Sequence, residues 1–224
     1  MRYCVEFLSK RPTCSYQKSK YRLNSPIGSL ISLGVDLKKE TILYKIHYFT
    51  KKIDDARIIL IIRNYKDAIV RRSCYKNLEA EELHDNLINR FRQNIRGKIG
   101  KTGHDYILPI KIFDKHKGEK LLIYYEDLLS DFKRTLKSVA NFLNFGTEHL
   151  SGFLDNINLH RNNSLEIFET YSKSFYRKSQ KSQKTQQNHR DRLSENQKIS
   201  CDKIIKDKWS HLYNKYLVRY SEHA

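Results

Sequence analysis

Residues 58–62 are five consecutive aliphatic side chains, and this run constrains the fold of the chain more than any other segment. An aliphatic run of that length, flanked by turn residues, predicts a strand that is buried on both faces, as in a parallel sheet. Arg63 follows the run directly, and Asp67 with the apolar residues after it predicts the start of a helix. Open α/β sheets bind ligands at the carboxyl ends of their strands. An arginine there, with its permanent charge and rigid fork of donors, suits a phosphate or sulfate oxyanion.

The rest of the chain shows the same alternation of strands and helices. The aliphatic run predicts a strand at 57–62, and short apolar segments predict further strands at 41–46 and 121–125. Strands that alternate with helices indicate an α/β protein with a mostly parallel sheet. Apolar residues at three- and four-residue steps predict the helices, at 2–9, 67–96, 126–145, 150–157 and 194–220.

Three segments fit that alternation less well. Residues 13–40 are polar and contain proline and glycine breakers, so an irregular region is predicted there. Residues 106–113 are ambiguous between a strand and a helix, because Pro109 is unfavourable in both. Residues 172–190 are rich in Ser, Lys and Gln, which predicts a polar, mobile loop. The 224 residues are otherwise predicted to form a single domain with a full core.

The chain has a net charge of +18, so an anionic ligand or partner is expected. Its hydrophobic content of 39% is typical of a globular protein and not of a disordered one. The sequence has neither the roughly 20-residue apolar stretch of a membrane span nor the pattern of a secretory signal. The four cysteines are scattered without metal-ligand spacing. We therefore expect a cytoplasmic protein with reduced thiols and no metal.

Three segments, in a fixed order, resemble the motifs of the PAPS-dependent sulfotransferases, where PAPS is 3′-phosphoadenylyl sulfate, the activated sulfate donor. In that family one strand ends in Lys-Thr-His or a relative, the next runs into Arg-Asn-Pro-x-Asp, and a later strand ends in Tyr-Glu-Asp-Leu before a helix. The resemblance covers residues 40–145. The counterparts in this chain are Lys45-Ile46-His47, Arg63-Asn64-Tyr65-Lys66-Asp67 and Tyr125-Glu126-Asp127-Leu128.

The resemblance implies a three-layer, mostly parallel sheet flanked by helices, in the P-loop nucleotide-kinase-like architecture of the sulfotransferases. It also implies an enzyme that takes PAPS as its co-substrate and transfers the sulfuryl group to a hydroxyl or amine acceptor. The residues leave the identity of the acceptor and the oligomeric state open.

Two candidate catalytic residues stand at the end of the strand predicted at 41–46. The resemblance assigns His47 as the general base and Lys45 as an electrostatic partner near the transferred group. These residue types suit the chemistry, since the pKa of histidine lies near neutrality and a lysine ammonium stabilises a leaving oxygen as a point charge. The alternative is an ordinary histidine with a neighbouring lysine at a loop entrance.

Four residues are candidates for binding the donor nucleotide. Arg63 corresponds to the family's arginine that binds the 3′-phosphate, and its alternative is a salt bridge to a nearby carboxylate. In the family a serine eight residues further on assists that arginine. Arg71 stands at this position here, so either Arg71 or the neighbouring Ser73 is expected to take that part. Tyr125 corresponds to the tyrosine beside the adenine and the donor phosphates, and its alternative is packing between strand and helix.

Two further parts of the family pattern differ in this chain. Lys178, Lys181 and Lys184 either cover the 3′-phosphate or belong to a solvated loop. The family's first strand and its Pro-Lys/Arg-Ser-Gly-Thr loop, which holds the 5′-phosphosulfate, do not occur in the sequence. Residues 1–8 resemble the helix that follows that loop. We therefore expect a truncated chain that begins just after the loop, binds the donor poorly and turns over slowly or not at all.

A basic nucleic-acid-binding protein without catalytic activity is the alternative function. From Tyr171 onward the chain has 13 Lys and Arg against 5 Asp and Glu, although no named RNA- or DNA-binding motif is present. A P-loop kinase is disfavoured, because the Walker lysine and a convincing magnesium-binding pair are missing.

Overall fold

The computed structural model of the chain describes residues 2–17, 20–23, 36, 38, 42–45, 56–73, 79–95, 106–164, 166 and 189–222. Helices predominate over strands in these residues. In chain order the elements are α1 (Arg2–Ser9), β1 (Thr13–Gln17), β2 (Lys20–Leu23), β3 (Leu43–Lys45), β4 (Ile58–Ile62), α2 (Tyr65–Ser73), α3 (Ala80–Ile95), α4 (Ile107–Lys115), β5 (Lys120–Tyr124), α5 (Tyr125–Ser130), α6 (Phe132–Leu143), α7 (Leu150–Asp155) and α8 (Glu195–Lys208). Further helical segments lie at 157–164, His189–Arg192, Ser210–Leu212, Tyr213–Leu217 and Val218–Tyr220.

The described strands form two sets. β1 lies antiparallel to β2 and parallel to β3. β4 and β5 are parallel to each other, and their register places Ile62 opposite Tyr124. Parallel strands combined with many helices confirm the predicted α/β class. The chain divides into two compact units, the first formed by Met1–Tyr48 with Asp127–Thr185 and the second by Phe49–Glu126 with Gln186–Ala224.

The second unit has its hydrophobic core on one face of the β4–β5 pair. Ile58, Leu60 and Ile62 of β4 face this core, together with Leu122 and Tyr124 of β5. Successive side chains of a strand point to opposite faces, so alternate residues of both strands are packed against the same helices. Apolar side chains from α2, α3, α4, α8 and residues 212–220 complete the core.

The opposite face of β4 is less buried than the sequence predicts. Ile61 is 46% exposed, although its neighbour Ile123 in β5 is buried. The predicted burial on both faces is therefore wrong at Ile61, because the core of the second unit packs against the other face. Ile58, Leu60 and Ile62, the alternate residues of the aliphatic run, belong to this core.

The first unit has a smaller core built from three helices. Cys4 and Leu8 of α1 pack with Leu136 of α6 and with Leu150 and Phe153 of α7. This core confirms the predicted helices at 2–9 and 150–157, of which the second is observed as Leu150–Asp155.

The strand predictions are confirmed at 41–46, 57–62 and 121–125, with bounds that shift by one or two residues. The irregular region predicted over 13–40 is wrong at its start, where β1 and β2 form an antiparallel pair. Main-chain hydrogen bonds between strands hold this polar sequence in place, and few aliphatic side chains mark it. The ambiguous segment at 106–113 is the helix α4. Pro109 fits there, since the first turn of a helix leaves its N–H groups without intrahelical partners.

Each long predicted helix is divided in the structure. Over 67–96 there are two helices, and Glu79 lies before α3 with its N–H donating to the side chain of Glu82. Over 126–145 the division falls at Asp131, whose carboxylate accepts from the N–H of Arg134 and so caps the start of α6. Over 194–220 the predicted start of the helix is confirmed, and the structure shows a capping box of Ser194 and Gln197 there, but α8 ends at Lys208. Apolar spacing continues across these breaks, so periodicity alone does not reveal them.

Several predictions fall on residues whose structure is not described. These include the mobile loop at 172–190 up to residue 188, the three lysines within it, and residues 46–55 with His47. The single-domain organisation stays a prediction. No described helix is both long and apolar enough to cross a membrane.

Candidate functional site

The site begins where the paired strands β4 and β5 end. Because Ile62 lies opposite Tyr124, the next residue of each strand, Arg63 and Tyr125, leaves the sheet at the same edge. The guanidinium carbon of Arg63 lies 4.7 Å from the ring centroid of Tyr125. The structure therefore brings together two residues that the sequence analysis proposed as nucleotide ligands.

Arg63 has a cationic side chain whose contacts are incomplete. Among the described residues it forms no ion pair with a carboxylate, so the alternative of a structural salt bridge finds no support there. Its Nε is buried and has no hydrogen-bond partner among the residues that the structure describes. A buried donor without an acceptor costs about 1–3 kcal/mol, which a bound oxyanion would recover. The aromatic ring of Tyr125 supports the guanidinium plane without consuming its donors.

Asn64 adds a second unsatisfied donor beside Arg63. Its Oδ1 accepts from the N–H of Lys66 at 2.9 Å, and its carbonyl accepts from the N–H of Ala68, so Asn64 caps the start of α2. Its Nδ2 is buried and has no hydrogen-bond partner within the described part of the chain. The assignment of the amide atoms is fixed by the cap, since only the oxygen can accept from Lys66.

The peptide bond between Arg63 and Asn64 is held from both sides. The hydroxyl of Tyr106 donates to the carbonyl of Arg63. The N–H of Asn64 donates to Oε1 of Glu126 at 3.0 Å, and Oε2 of Glu126 accepts from the hydroxyl of Tyr220 at 2.6 Å. Burial, followed by the charge of Glu126, raises the pKa of Tyr106 well above its usual value, so its phenol stays a proton donor.

Lys66, three residues beyond the half-buried Arg63, is a fully buried cation, and all its donors are used. Its Nζ donates to Asp202 at 2.6 Å, to Glu222 at 2.9 Å and to the carbonyl of Tyr220 at 2.7 Å. An ammonium has three donors, so nothing remains for a ligand. Burial alone would raise the pKa of Glu222, but the hydrogen bond and the charge of Lys66 outweigh it and the pKa is lowered.

Two neighbouring side chains complete this polar cluster. The hydroxyl of Tyr65 donates to Asp202, whose other oxygen accepts from the N–H of Glu222 at 3.0 Å. Burial and then the hydrogen bond to Asp202 raise the pKa of Tyr65. Asp67 in the first turn of α2 accepts from the N–H of Arg190 at 2.8 Å. Residues 64–67 therefore each form a hydrogen bond within the second unit, whereas the described contact of the Arg63 side chain is its stacking on Tyr125.

The remaining predicted site residues are placed only in part. Lys45 ends β3 in the first unit, as predicted, and the orientation of its side chain is not described. His47 lies outside the described residues. Arg71 and Ser73 both belong to the last turn of α2, and only their backbone is described. Their parts in donor binding stay predictions.

Sequence reasoning missed Asn64, Tyr106 and Tyr220 as members of the site, and it interpreted Glu126 only as a residue of a helix start. The asparagine directly before a helix was a readable capping signal. Tyr106 and Tyr220 are 43 and 94 residues away from the groups that they bind, and no local pattern indicates such pairs.

The site is able to bind an oxyanion. It offers a guanidinium and an adjacent amide, both with a buried donor that lacks an acceptor. Within the described residues, no three histidine, cysteine or acidic side chains lie close enough together to hold a metal ion.

Comparison with known proteins agrees with this geometry. The chain is 28% identical over 116 residues to a protein named sulfotransferase 2A6 of Mus musculus, a match that covers 47% of this chain and 39% of that protein. The match thus spans less than half of the relative's length. The family model described as the sulfotransferase domain matches residues 35–213, which include β4, β5, the whole of α8 and the helical segment Ser210–Leu212. The chain therefore belongs to the sulfotransferase family.

Proposed function

We propose that this protein transfers a sulfuryl group from 3′-phosphoadenylyl sulfate to a hydroxyl or amine acceptor, and that Arg63 binds the 3′-phosphate of the donor. One observation carries the proposal: the guanidinium of Arg63 rests on the Tyr125 ring, has a buried unsatisfied Nε, and lacks a carboxylate partner among the described residues. A cation held in this way at the end of a parallel strand suits a phosphate ligand.

The donor fits the residues that are present. A phosphate offers several strong acceptor oxygens, and Arg63 Nε and Asn64 Nδ2 are two adjacent donors that need acceptors. We assign both to the 3′-phosphate. Tyr125 supports the guanidinium from below and, in this proposal, borders the adenine as its family counterpart does. Arg71 or Ser73 completes the phosphate contacts from the end of α2.

Sulfuryl transfer makes definite demands on the remaining residues. The acceptor oxygen or nitrogen forms a bond to sulfur while the bond from sulfur to the phosphate oxygen breaks, and adenosine 3′,5′-bisphosphate leaves. The acceptor proton goes to a base, and the leaving oxygen needs positive charge. We propose His47 as that base and Lys45 as the charge near the leaving oxygen, with no metal in the reaction.

The proposal includes the architecture and the setting of the protein. We propose a single domain with a three-layer, mostly parallel sheet in the P-loop nucleotide-kinase-like arrangement. Within it, β4 and β5 are neighbouring strands whose carboxyl ends form the nucleotide edge. We also propose a cytoplasmic protein, since its thiols Cys4 and Cys201 are free and buried.

Thermal unfolding with adenosine 3′,5′-bisphosphate tests the function. Wild-type protein should be stabilised by about 2.7 kcal/mol when the free nucleotide is at 100 times its dissociation constant. The Arg63→Ala variant should lose most of this stabilisation. The matched control is Arg134→Ala, which removes an exposed arginine of α6 and should respond to the nucleotide as wild type does.

The same assay separates the proposal from nucleic-acid binding. A nucleic-acid-binding protein would show no preference for this nucleotide, and its affinity for DNA or RNA would fall steeply with salt. Equal nucleotide responses of wild type and Arg63→Ala would contradict the assignment of Arg63. No response of the wild type at all would contradict the proposed function.

A further inference from the structure

We propose that Glu126 and Tyr220 are positioning residues of the nucleotide site: they hold the peptide unit between Arg63 and Asn64 so that both side chains present their free donors to the same phosphate. The inference rests on the proposed function and adds to it two residues, neither of which is expected to touch the ligand.

One peptide unit, between Arg63 and Asn64, is held by hydrogen bonds at both of its edges. Its carbonyl, from Arg63, accepts from the hydroxyl of Tyr106, and its N–H, from Asn64, donates to Glu126 at 3.0 Å. A peptide unit is planar, so two hydrogen bonds at opposite edges fix its orientation about the chain axis. That orientation sets ψ of Arg63 and φ of Asn64, and hence the direction in which each side chain leaves the backbone.

Glu126 is able to hold this N–H because its second oxygen is held as well. Oε2 accepts from the hydroxyl of Tyr220 at 2.6 Å, and burial, followed by this hydrogen bond, raises the pKa of Tyr220. A carboxylate bound through both oxygens keeps a single rotamer. Without Tyr220 it is free to rotate away from Asn64 towards water.

Tyr220 is itself fixed by packing and by a buried charge. Its ring makes edge contacts with Tyr65 at 6.3 Å and with Tyr124 at 6.0 Å between centroids. Its carbonyl accepts from Lys66 at 2.7 Å. The polar cluster around Lys66 therefore stabilises the turn at residues 63–66 through Tyr220 and Glu126. In this way the segment after α8 determines the geometry at the end of β4.

The chain supplies a matched control for this role. Tyr216 lies four residues before Tyr220, is buried to a similar extent, and donates through its hydroxyl to a carboxylate, Asp114, at 2.8 Å. Asp114 lies in α4 and also accepts from Lys215, and no described contact links it to the Arg63 turn. Both tyrosines anchor the same segment, but only Tyr220 reaches Glu126.

Calorimetric titration with adenosine 3′,5′-bisphosphate tests the inference, with folding of each variant verified by circular dichroism at the titration temperature. Tyr220→Phe removes one oxygen and should weaken binding about tenfold, whereas Tyr216→Phe should stay within about twofold of wild type. Glu126→Ala should weaken binding at least as much as Tyr220→Phe. Glu126→Gln keeps an acceptor for Asn64 and a group that can bond to the Tyr220 hydroxyl, and should restore a large part of the affinity lost in Glu126→Ala.

The outcomes separate this inference from the proposed function. If Arg63→Ala abolishes binding while Tyr220→Phe and Glu126→Ala bind as wild type, the positioning role is wrong and the function stands. If Tyr216→Phe and Tyr220→Phe weaken binding equally, the effect follows general stability and the positioning role is again wrong. If wild-type protein does not bind the nucleotide, both proposals fail.

Discussion

The two ends of one short turn carry cations with opposite surroundings. Lys66 is fully buried and is neutralised by Asp202, Glu222 and the carbonyl of Tyr220. Arg63, three residues earlier, rests on an aromatic ring and keeps a buried donor without a partner among the described residues. Both cations belong to the same unit. Lys66 is fully buried and Arg63 half-buried, but the Nε of Arg63 is itself buried, so the difference is not one of depth alone.

We interpret this difference in compensation as one between a structural charge, Lys66, and a charge that is proposed to bind a ligand, Arg63. A buried charge without compensation costs several kcal/mol, and the polar cluster around Lys66 removes that cost internally. At Arg63 the compensation is left incomplete, which is what a site needs when its ligand brings the negative charge. The variants below test this comparison from the largest expected effect to the smallest.

Replacing Lys66 should have the largest effect on stability. Lys66→Met keeps much of the side-chain volume but leaves Asp202 and Glu222 without their cation, so the free energy of unfolding should fall by about 3–5 kcal/mol. Arg63→Ala removes about 0.5–1 kcal/mol of contact with the ring and also an unsatisfied donor, so its effect should stay below about 1 kcal/mol. Urea unfolding of both variants measures the contrast, with Lys133→Met as the exposed control. Equal losses at the two positions would contradict the comparison.

Arg63→Lys tests whether the ligand-binding cation needs more than charge. Lysine retains the charge but not the planar fork or the stacking on Tyr125, so affinity for adenosine 3′,5′-bisphosphate should fall about tenfold. The expected stability without ligand is close to that of wild type. Calorimetric titration gives the affinity directly. A variant that binds as tightly as wild type would mean that Arg63 acts only as a point charge.

The Lys66 end of the turn should also respond to acid. Glu222 has a lowered pKa in the folded state. Its contribution to the free energy of unfolding is therefore complete above its unfolded pKa of about 4.5, and it is lost as the pH falls through the folded pKa. At pH 7, Glu222→Gln should therefore be less stable than wild type by about 1 kcal/mol. The difference should shrink as the pH falls from about 5 to about 3, in urea unfolding at a series of pH values. A difference that is independent of pH would show that charge on Glu222 is not what stabilises the cluster.

The sequence alone indicated the part of the fold that depends on aliphatic runs. β4 and β5 were predicted because their side chains face a core, and the α/β pattern predicted their parallel orientation but not their register. β1 and β2 were missed because main-chain pairing, rather than apolar side chains, defines them. The break at Asp131 was missed because a cap interrupts a helix without interrupting its apolar stripe.

The same distinction applies to the candidate site: residues in a local motif were predictable, and residues that take part only through long-range contacts were not. Arg63 and Tyr125 were predictable because each follows a recognisable strand within a motif. The polar cluster was not, since Lys66 and Asp202 are 136 residues apart and a lysine in a helical pattern is ordinarily taken to face solvent. Glu126 and Tyr220 depend on the same long-range contacts. Local patterns identify the residue that is proposed to bind the ligand, whereas the residues that hold its backbone in place emerge only from the folded chain.

The most direct test of the account is a cycle of two nucleotides and two proteins. Adenosine 3′,5′-bisphosphate and adenosine 5′-monophosphate differ only in the 3′-phosphate that Arg63 is proposed to bind. Calorimetric titration of wild-type protein should show at least a tenfold preference for the bisphosphate, and Arg63→Ala should lose most of this preference, because only the weaker donors of its neighbours remain. If Arg63→Ala keeps the preference of the wild type, the 3′-phosphate lies elsewhere and the central claim is wrong.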